Sequence, residues 1–243
     1  MSLKVNSERF LIAFSSIEGE MNRRVKSNHY ISYSELVRRM SNMDRNYHRF
    51  QRYLEEFGDL RNAIVHERID GEVVAEPHLK EVESIEHIAQ LLTEPERVKP
   101  TYLSDVEFCL DTDSLSNVLN ILLPKHYSKL PVYTKEMLFK GLITTDAINE
   151  YLVKNIGKIQ GKLPDITISE LLLQDEKKRT VEFIPIDTTL LSVVILFEQS
   201  LTAGKRLNAL IITQDGASNQ KPLGIISVSD LPRIYEIINK DLR

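Results

Sequence analysis

Gly224-Ile225-Ile226-Ser227-Val228-Ser229-Asp230-Leu231 is the stretch on which the reading of the fold turns. Glycine and two isoleucines read as a short buried strand, and Ser227 and Asp230 as the polar start of a helix. The chain carries a near-copy of it earlier, Gly141-Leu142-Ile143-Thr144-Thr145-Asp146-Ala147. Working outward, the likeness extends. Val106-Glu107-Phe108 is followed seven residues after the phenylalanine by Leu115, and Val181-Glu182-Phe183 at the same distance by Leu190. A helical pattern follows each (Leu115, Val118, Leu119, Leu122; Leu190, Val193, Val194, Phe197). Next come a strand, Leu130-Pro131-Val132-Tyr133 or Ala209-Leu210-Ile211-Ile212, a polar turn, and a second strand that runs straight into a final helix. One supersecondary unit occurs twice, which predicts a pseudo-symmetric α/β pair in which each copy covers the other's sheet. Between the copies, Ile168-Ser169-Glu170-Leu171-Leu172-Leu173 reads as a short helix packing on the sheet.

This repeat resembles a tandem pair of CBS motifs, named after cystathionine β-synthase. The likeness runs over residues 104–243, with the first motif at about 104–158 and the second at about 162–243. Gly224 to Asp230 fits the family pattern of glycine, two apolar residues, Ser/Thr, two variable residues and aspartate. The resemblance implies an adenine nucleotide (AMP, ADP or ATP) as regulatory ligand, and no metal. Its chemistry is legible: a helix N-terminus offers N–H groups to a phosphate, Ser227 adds a donor, and Asp230 accepts from both ribose hydroxyls. The resemblance also assigns Ile186 and Thr188 of the second copy to the site, and Thr144 and Asp146 of the first. The first copy departs from the pattern, with Ala147 where aspartate belongs and Asp146 one residue early. One position is about 100° of helix, so Asp146 reads equally well as a cap, and one competent site at most, or one strong and one weak, is expected.

Upstream, residues 1–95 read as a helical domain and 96–103 as a polar, proline-bounded linker. Phe10, Leu11, Phe14, Ile17, Met21 and Val25 mark a first helix over residues 8–25. Ser32 and Glu35 stand at capping-box spacing before a second, ending at about residue 42. Asp44 caps a third, along which Tyr47, Phe50, Tyr53, Leu54, Phe57, Leu60 and Ile64 recur at three- and four-residue steps. Asp70-Gly71 suggests a hairpin-like turn, and Val82, Ile85, Ile88, Ala89 and Leu92 a fourth helix. Arg61-Asn62-Ala63-Ile64-Val65-His66 closes the third helix, and this Arg-Asn-x-x-x-His pattern resembles the HEPN family. That resemblance implies a metal-independent RNA-cleaving site of Arg61, Asn62 and His66 at a symmetric dimer interface. Arg61 and His66 point about 140° apart on a regular helix, so a site using both needs a bend, a loop or a second chain. Alternatively, Arg61 pairs with Glu67 or Asp59, and His66 merely ends the helix, where its charge suits the dipole.

The whole is therefore an α+β two-domain chain: an all-α, HEPN-like bundle followed by an α/β CBS pair. Its 243 residues suffice for two cores, and 42% hydrophobic with 27% charged residues is a globular composition. No apolar run approaches the ~20 residues that span a bilayer and no signal-peptide pattern opens the chain, so a cytoplasmic location and no membrane partner are expected. A single cysteine, Cys109 between Phe108 and Leu110, excludes an internal disulfide and reads as a core thiol. The net charge of −4 argues against a nonspecific nucleic-acid coat. Yet eight bases (Arg23, Arg24, Lys26, Arg38, Arg39, Arg45, Arg49, Arg52) face only Glu35 and Asp44 across residues 21–52. Such a face either holds an RNA backbone or is a solvated helix surface balanced by the acidic stretch that follows. Two functions stay open at this point. One is a nucleotide-regulated endoribonuclease in which His66 moves the 2′-hydroxyl proton, Arg61 steadies phosphate charge and Asn62 orients its neighbours. The other is a non-catalytic regulatory module whose helical domain dimerises or holds RNA or protein. Both resemblances imply a homodimer.

Overall fold

Helix periodicity and capping decide the first part of the chain. The computed structural model describes residues 3–66, 68–69, 72–73, 76–158, 165–175, 177 and 179–239. Helices α1 (Leu3–Val25), α2 (Tyr33–Met43), α3 (Arg45–His66) and α4 (Leu79–Thr93) pack around one apolar cluster that includes Phe10, Ile17, Met21, Leu36, Met40, Tyr47, Leu54, Ile64, Val82 and Ile85. Ser32 starts α2 by accepting from the Glu35 N–H at 3.4 Å, but the Glu35 carboxylate turns out to Arg38 and Arg39, so only half of the capping box forms. Asp44 separates α2 from α3, its Oδ1 accepting from the Asn46 N–H at 2.8 Å. The predicted stripe on α3 holds for Tyr47, Leu54, Phe57 and Ile64, which are buried. Tyr53 is the departure: it lies at the edge of the stripe, exposed, with the Arg52 guanidinium 5.6 Å from its ring centroid. Strands β1 (Arg68–Ile69) and β2 (Glu72–Val73) pair antiparallel as a small hairpin within this helical part. The expected turn residues Asp70 and Gly71 lie outside the described residues.

The repeat is present as two three-stranded sheets of one topology. In the first, β3 (Cys109–Leu110) pairs parallel with β4 (Lys129–Tyr133) and β4 antiparallel with β5 (Phe139–Thr144). In the second, β6 (Thr180–Pro185) pairs parallel with β7 (Leu207–Thr213) and β7 antiparallel with β8 (Gly224–Ile226). Helices α5 (Leu115–Lys125) and α8 (Leu190–Thr202) make the parallel crossovers, and α6 (Thr145–Lys154) and α9 (Leu231–Ile238) close the copies. The intervening α7 (Ile168–Gln174) starts with a complete capping box between Thr167 and Glu170, and its Leu172 side chain lies against Gly141 of β5. By contacts the chain divides into Met1–Arg97 with Thr189–Ile195 and Pro232–Arg243, and Val98–Thr188 with Leu196–Leu231.

Strand pairing corrects two sequence-level expectations. Leu130, Pro131 and Val132 lie opposite Ile143, Leu142 and Gly141, whereas Leu210, Ile211 and Ile212 lie opposite Ile226, Ile225 and Gly224. Leu130 is thus equivalent to Leu210, one residue later than the sequence alignment places it. The second copy also does not run straight from strand to α-helix, because a 3-10 turn, Val228–Asp230, intervenes before α9. Pro232 is the reason: an α-helix begun at Val228 would need a Pro232 N–H to reach the Val228 carbonyl.

Gly224 is fixed by its surroundings, since an added Cβ would fall on the Tyr102 carbonyl oxygen and 2.7 Å from Ile212 Cδ1. Gly19, on the exposed side of α1, has open space. We expect Gly224→Ala to lower stability by about 1–3 kcal/mol, as overpacking does, and Gly19→Ala to raise it by about 0.5–1 kcal/mol, as helix interiors do. Urea unfolding of both variants checks the pair; equal effects would contradict the packing described.

Candidate functional site

The turn out of α5 places the first wall of a cavity. Pro124 occupies its last turn and His126 takes a left-handed conformation (φ 54°), so the chain doubles back and Lys129 opens β4. The second wall is the segment before β3, whose Ser104 N–H donates to the Leu223 carbonyl at 2.9 Å just ahead of β8. The end of β8 closes the third side with Ile225, Ser227 and Asp230. Together they line a cavity of ≈ 250 Å³ that also includes Val106, Leu130 and Pro131.

Asp230 is held in place within it. Its Oδ2 accepts from the Ser227 N–H at 2.8 Å and the Ser227 hydroxyl at 3.1 Å, and Ser227 Oγ also meets Ser229 Oγ at 2.8 Å. Oδ1 forms no hydrogen bond among the described residues, which leaves it as an acceptor for a ligand. Lys129 lines the same cavity, half-buried, its ammonium donating to the Asn208 carbonyl at 3.4 Å. Burial pushes this amine below the ordinary lysine value; Asp230 and Asp146 pull the other way and Arg206 adds to the depression.

The first copy lacks this chemistry. Thr144 is buried and spends its hydroxyl oxygen on the Ala147 N–H at 3.1 Å, capping α6. Asp146 is exposed on α6, as a cap-region residue would be. By the pairing register, the position of Lys129 is Ala209 in the second copy, and that of Asp230 is Ala147 in the first. Lys129 and Asp230 thus both have alanine at the equivalent positions; Asp105, Glu107 and His126 line the cavity beside them.

Two assigned residues lie away from this cavity. Ile186 and Thr188 do not line the cavity; the Ile186 N–H reaches the Gln214 carbonyl at 3.5 Å, and Thr188 donates its hydroxyl to the Pro185 carbonyl at 2.8 Å. The topology accounts for the separation. Ile186 follows β6 beside the far end of β7, whereas Ser227 follows β8 beside its start, about 17 Å away at strand spacing. Conversely, Lys129 and the residues before β3 were missed; the Lys129/Ala209 asymmetry between the repeats was the signal that could have found the lysine.

In the helical part, α3 runs unbroken from Arg45 to His66, so the backbone positions 61 and 66 keep their separation of about 140°. The bend that a single-chain site requires is absent. Arg61 Nη1 donates to Asn62 Oδ1 at 3.3 Å, and both line a cavity with Tyr33 and three carboxylates, Glu18, Glu55 and Asp59. The His66 side chain lies outside the described residues. Most of the basic stretch is paired on the surface: Arg23 with Glu20, Arg24 with Asp44, Arg38 and Arg39 with Glu35, Arg52 with Glu56. The hydrogen bonds from Arg38 and Arg39 hold Glu35 down to about 2. Cys109 is buried, and burial pushes its thiol up to about 12, which suits a core residue and not a nucleophile. Among the described residues no helix is long and apolar enough to cross a membrane, and no group of three or more His, Cys, Asp or Glu is placed to hold a metal ion.

No protein-family model matches the chain, and no curated protein matches it. Among solved structures it is similar to the CBS domain pair of protein MJ0100 in complex with 5′-methylthioadenosine and S-adenosyl-L-methionine, at 20% identity over 58% of this chain and 96% of that one, with a TM-score of 0.42. It is similar to CBSX2 in complex with AMP, at 16% identity over 59% and 98% of the two chains, TM-score 0.39. A third is the CBS domain of a bacterial CNNM/CorC family Mg2+ transporter in complex with ATP, at 17% identity over 65% and 96%, TM-score 0.44. Likenesses this distant leave the site to its own geometry.

Because burial favours the neutral amine of Lys129, the folded chain binds fewer protons there than the unfolded chain, and stability rises with pH on its account. Lys129→Met is expected to be more stable than the parent at pH 7, with the gap closing as pH climbs to the ordinary lysine value of 10.5. Urea midpoints across that range test it, and a gap that does not move with pH would count against a half-buried charge.

Proposed function

We propose that this protein is an adenine-nucleotide sensor, a regulatory protein in which one AMP, ADP or ATP per chain occupies the cavity at the end of β8. The observation that carries the reading is the joint placement of Asp230 and Lys129 in one cavity, with alanine at both equivalent positions of the other copy. The parts suit a nucleotide: Val106, Leu130, Pro131 and Ile225 supply apolar surface for a base, Asp230 Oδ1 an acceptor for the ribose diol, and Lys129 a cation for phosphate. The helical part then carries the output, holding a second copy of the chain, RNA or another protein. Such a ligand regulates only if it prefers one arrangement of the molecule over another. Titration calorimetry is expected to give one site per chain, with affinity falling about tenfold or more in Asp230→Ala, since a hydrogen bond to a charged group is lost. Unchanged affinity in that variant, or two equal sites, would overturn the proposal.

A metal-independent endoribonuclease acting at a dimer interface is the second reading. It is favoured by the Arg61–Asn62 hydrogen bond, which fixes a guanidinium near the end of α3. Glu18, Glu55 and Asp59 around the same cavity weigh against it, because they repel a phosphodiester. We expect labelled RNA incubated with the chain in EDTA to stay intact with and without AMP or ATP. Cleavage that disappears in both Arg61→Ala and His66→Ala would establish the nuclease instead.

A further inference from the structure

The cavity at the end of β8 has a counterpart in the other copy, and the pairing register locates it. Val132 pairs with Cys109 and Ile212 with Ile184; Val132 is equivalent to Ile212, so Cys109 is equivalent to Ile184. Five residues earlier in each copy stand Ser104, which lines the cavity, and Arg179. Ala147 is in turn the equivalent of Asp230. Asp230 lines a cavity of ≈ 250 Å³, whereas Ala147 is buried and lines a void of ≈ 10 Å³ that Glu150, Leu171 and Asp175 also wall. A void of that size holds one water at most.

Arg179 accounts for the closure. Its guanidinium donates from Nε to Asp175 Oδ2 at 3.1 Å and from Nη2 to Glu150 Oε1 at 3.5 Å. Asp175 follows α7, and Glu150 lies on α6, three residues beyond Ala147 and so on the same face of the helix. One side chain therefore ties the start of β6 to the two elements that wall in Ala147. The Arg179 and Asp175 side chains are 5% and 4% exposed, so the pair is desolvated, while the exposed Lys177 holds Glu150 from outside at 2.5 Å. Buried charges of this kind persist where each has its partner, and removing one strands the other.

We infer that Arg179, held by Asp175 and Glu150, is a built-in strap that closes the second nucleotide cleft, a cation of the chain itself taking the place of a ligand. A carboxylate at position 147 would meet this guanidinium instead of a ribose, and a base would find no room. The ligand named here rests on the nucleotide reading of the cavity at the end of β8; the closure does not. One site per chain then follows from a filled cleft as well as from missing chemistry.

The first test reads access to position 147 with no nucleotide present. In the full chain, Ala147→Cys is expected to react with an aromatic disulfide reagent far more slowly than Asp230→Cys, over the background of the buried Cys109. Adding Arg179→Ser and Asp175→Asn, which remove both charges of the buried pair together, should speed the reaction at position 147 about tenfold or more, because no ion pair then has to open. Glu150→Gln, which loosens one partly exposed anchor, should speed it less, and it replaces the double substitution if that chain does not melt in one cooperative transition. In the second test, calorimetry with AMP should find one site in the Ala147→Asp chain and two once Arg179→Ser and Asp175→Asn are added. Fast reaction at position 147 with the strap intact, no acceleration on its removal, or two AMP sites with the strap intact overturns the inference. One AMP site after its removal overturns the assignment of the cleft to a nucleotide. AMP binding to no chain, the parent included, overturns the nucleotide reading instead, and the thiol rates still decide the strap.

Discussion

The double pairing of β7, parallel to β6 on one side and antiparallel to β8 on the other, is the constraint from which the rest of the α/β part follows. A parallel pair needs a long crossover, so α8 must lie between β6 and β7; an antiparallel pair needs only a loop, so β8 can follow directly. The end of β8 then lands beside the start of β7, and whatever chemistry Ser227 and Asp230 carry is delivered to that end of the sheet. β3, β4 and β5 obey the same rule, which is why Thr144 ends up at the corresponding place. Site location is thus a consequence of topology, and site chemistry of what each copy puts there.

That division explains what could be read from the chain. The repeat was legible because glycine, apolar pair and hydroxyl residue recur at one spacing, and periodicity found α1 to α4. Register was not legible. Residues 207–213 are nearly all apolar and buried, so no alternation of inside and outside fixes the frame, and the alignment slipped by one. The 3-10 turn after Ser227 follows from Pro232, whose missing N–H acts on a residue four places earlier. That Ile186 and Thr188 lie away from this cavity has a further reason: sequence likeness carries residue types, but which end of β7 they reach is set by strand direction. The cavity itself joins residues 126 positions apart, Ser104 and Asp230, and no local window contains them.

In the helical part, sequence and structure agree on the problem more than on its answer. An unbroken α3 keeps positions 61 and 66 on different faces, so one chain offers no paired Arg61–His66 catalytic set. The basic stretch that suggested a nucleic-acid face is largely consumed by neighbouring acids, and exposed pairs of this kind add little stability.

The two copies of the repeat differ in a coupled way that bears on why only one is furnished for a ligand. Lys129 and Asp230 share a cavity, and the aspartate is among the groups that oppose the burial of the amine. Losing Asp230 alone would take from the half-buried ammonium the charge that most opposes the effect of its burial, whereas losing Lys129 alone removes that burial cost and leaves Asp230 on its Ser227 hydrogen bonds. Replacement of both is a stable alternative, and Ala209 and Ala147, both buried, are that alternative. A repeat relieved of its ligand has no reason to keep either charge, whereas one that keeps its ligand must hold both, including a lysine that burial would rather see neutral.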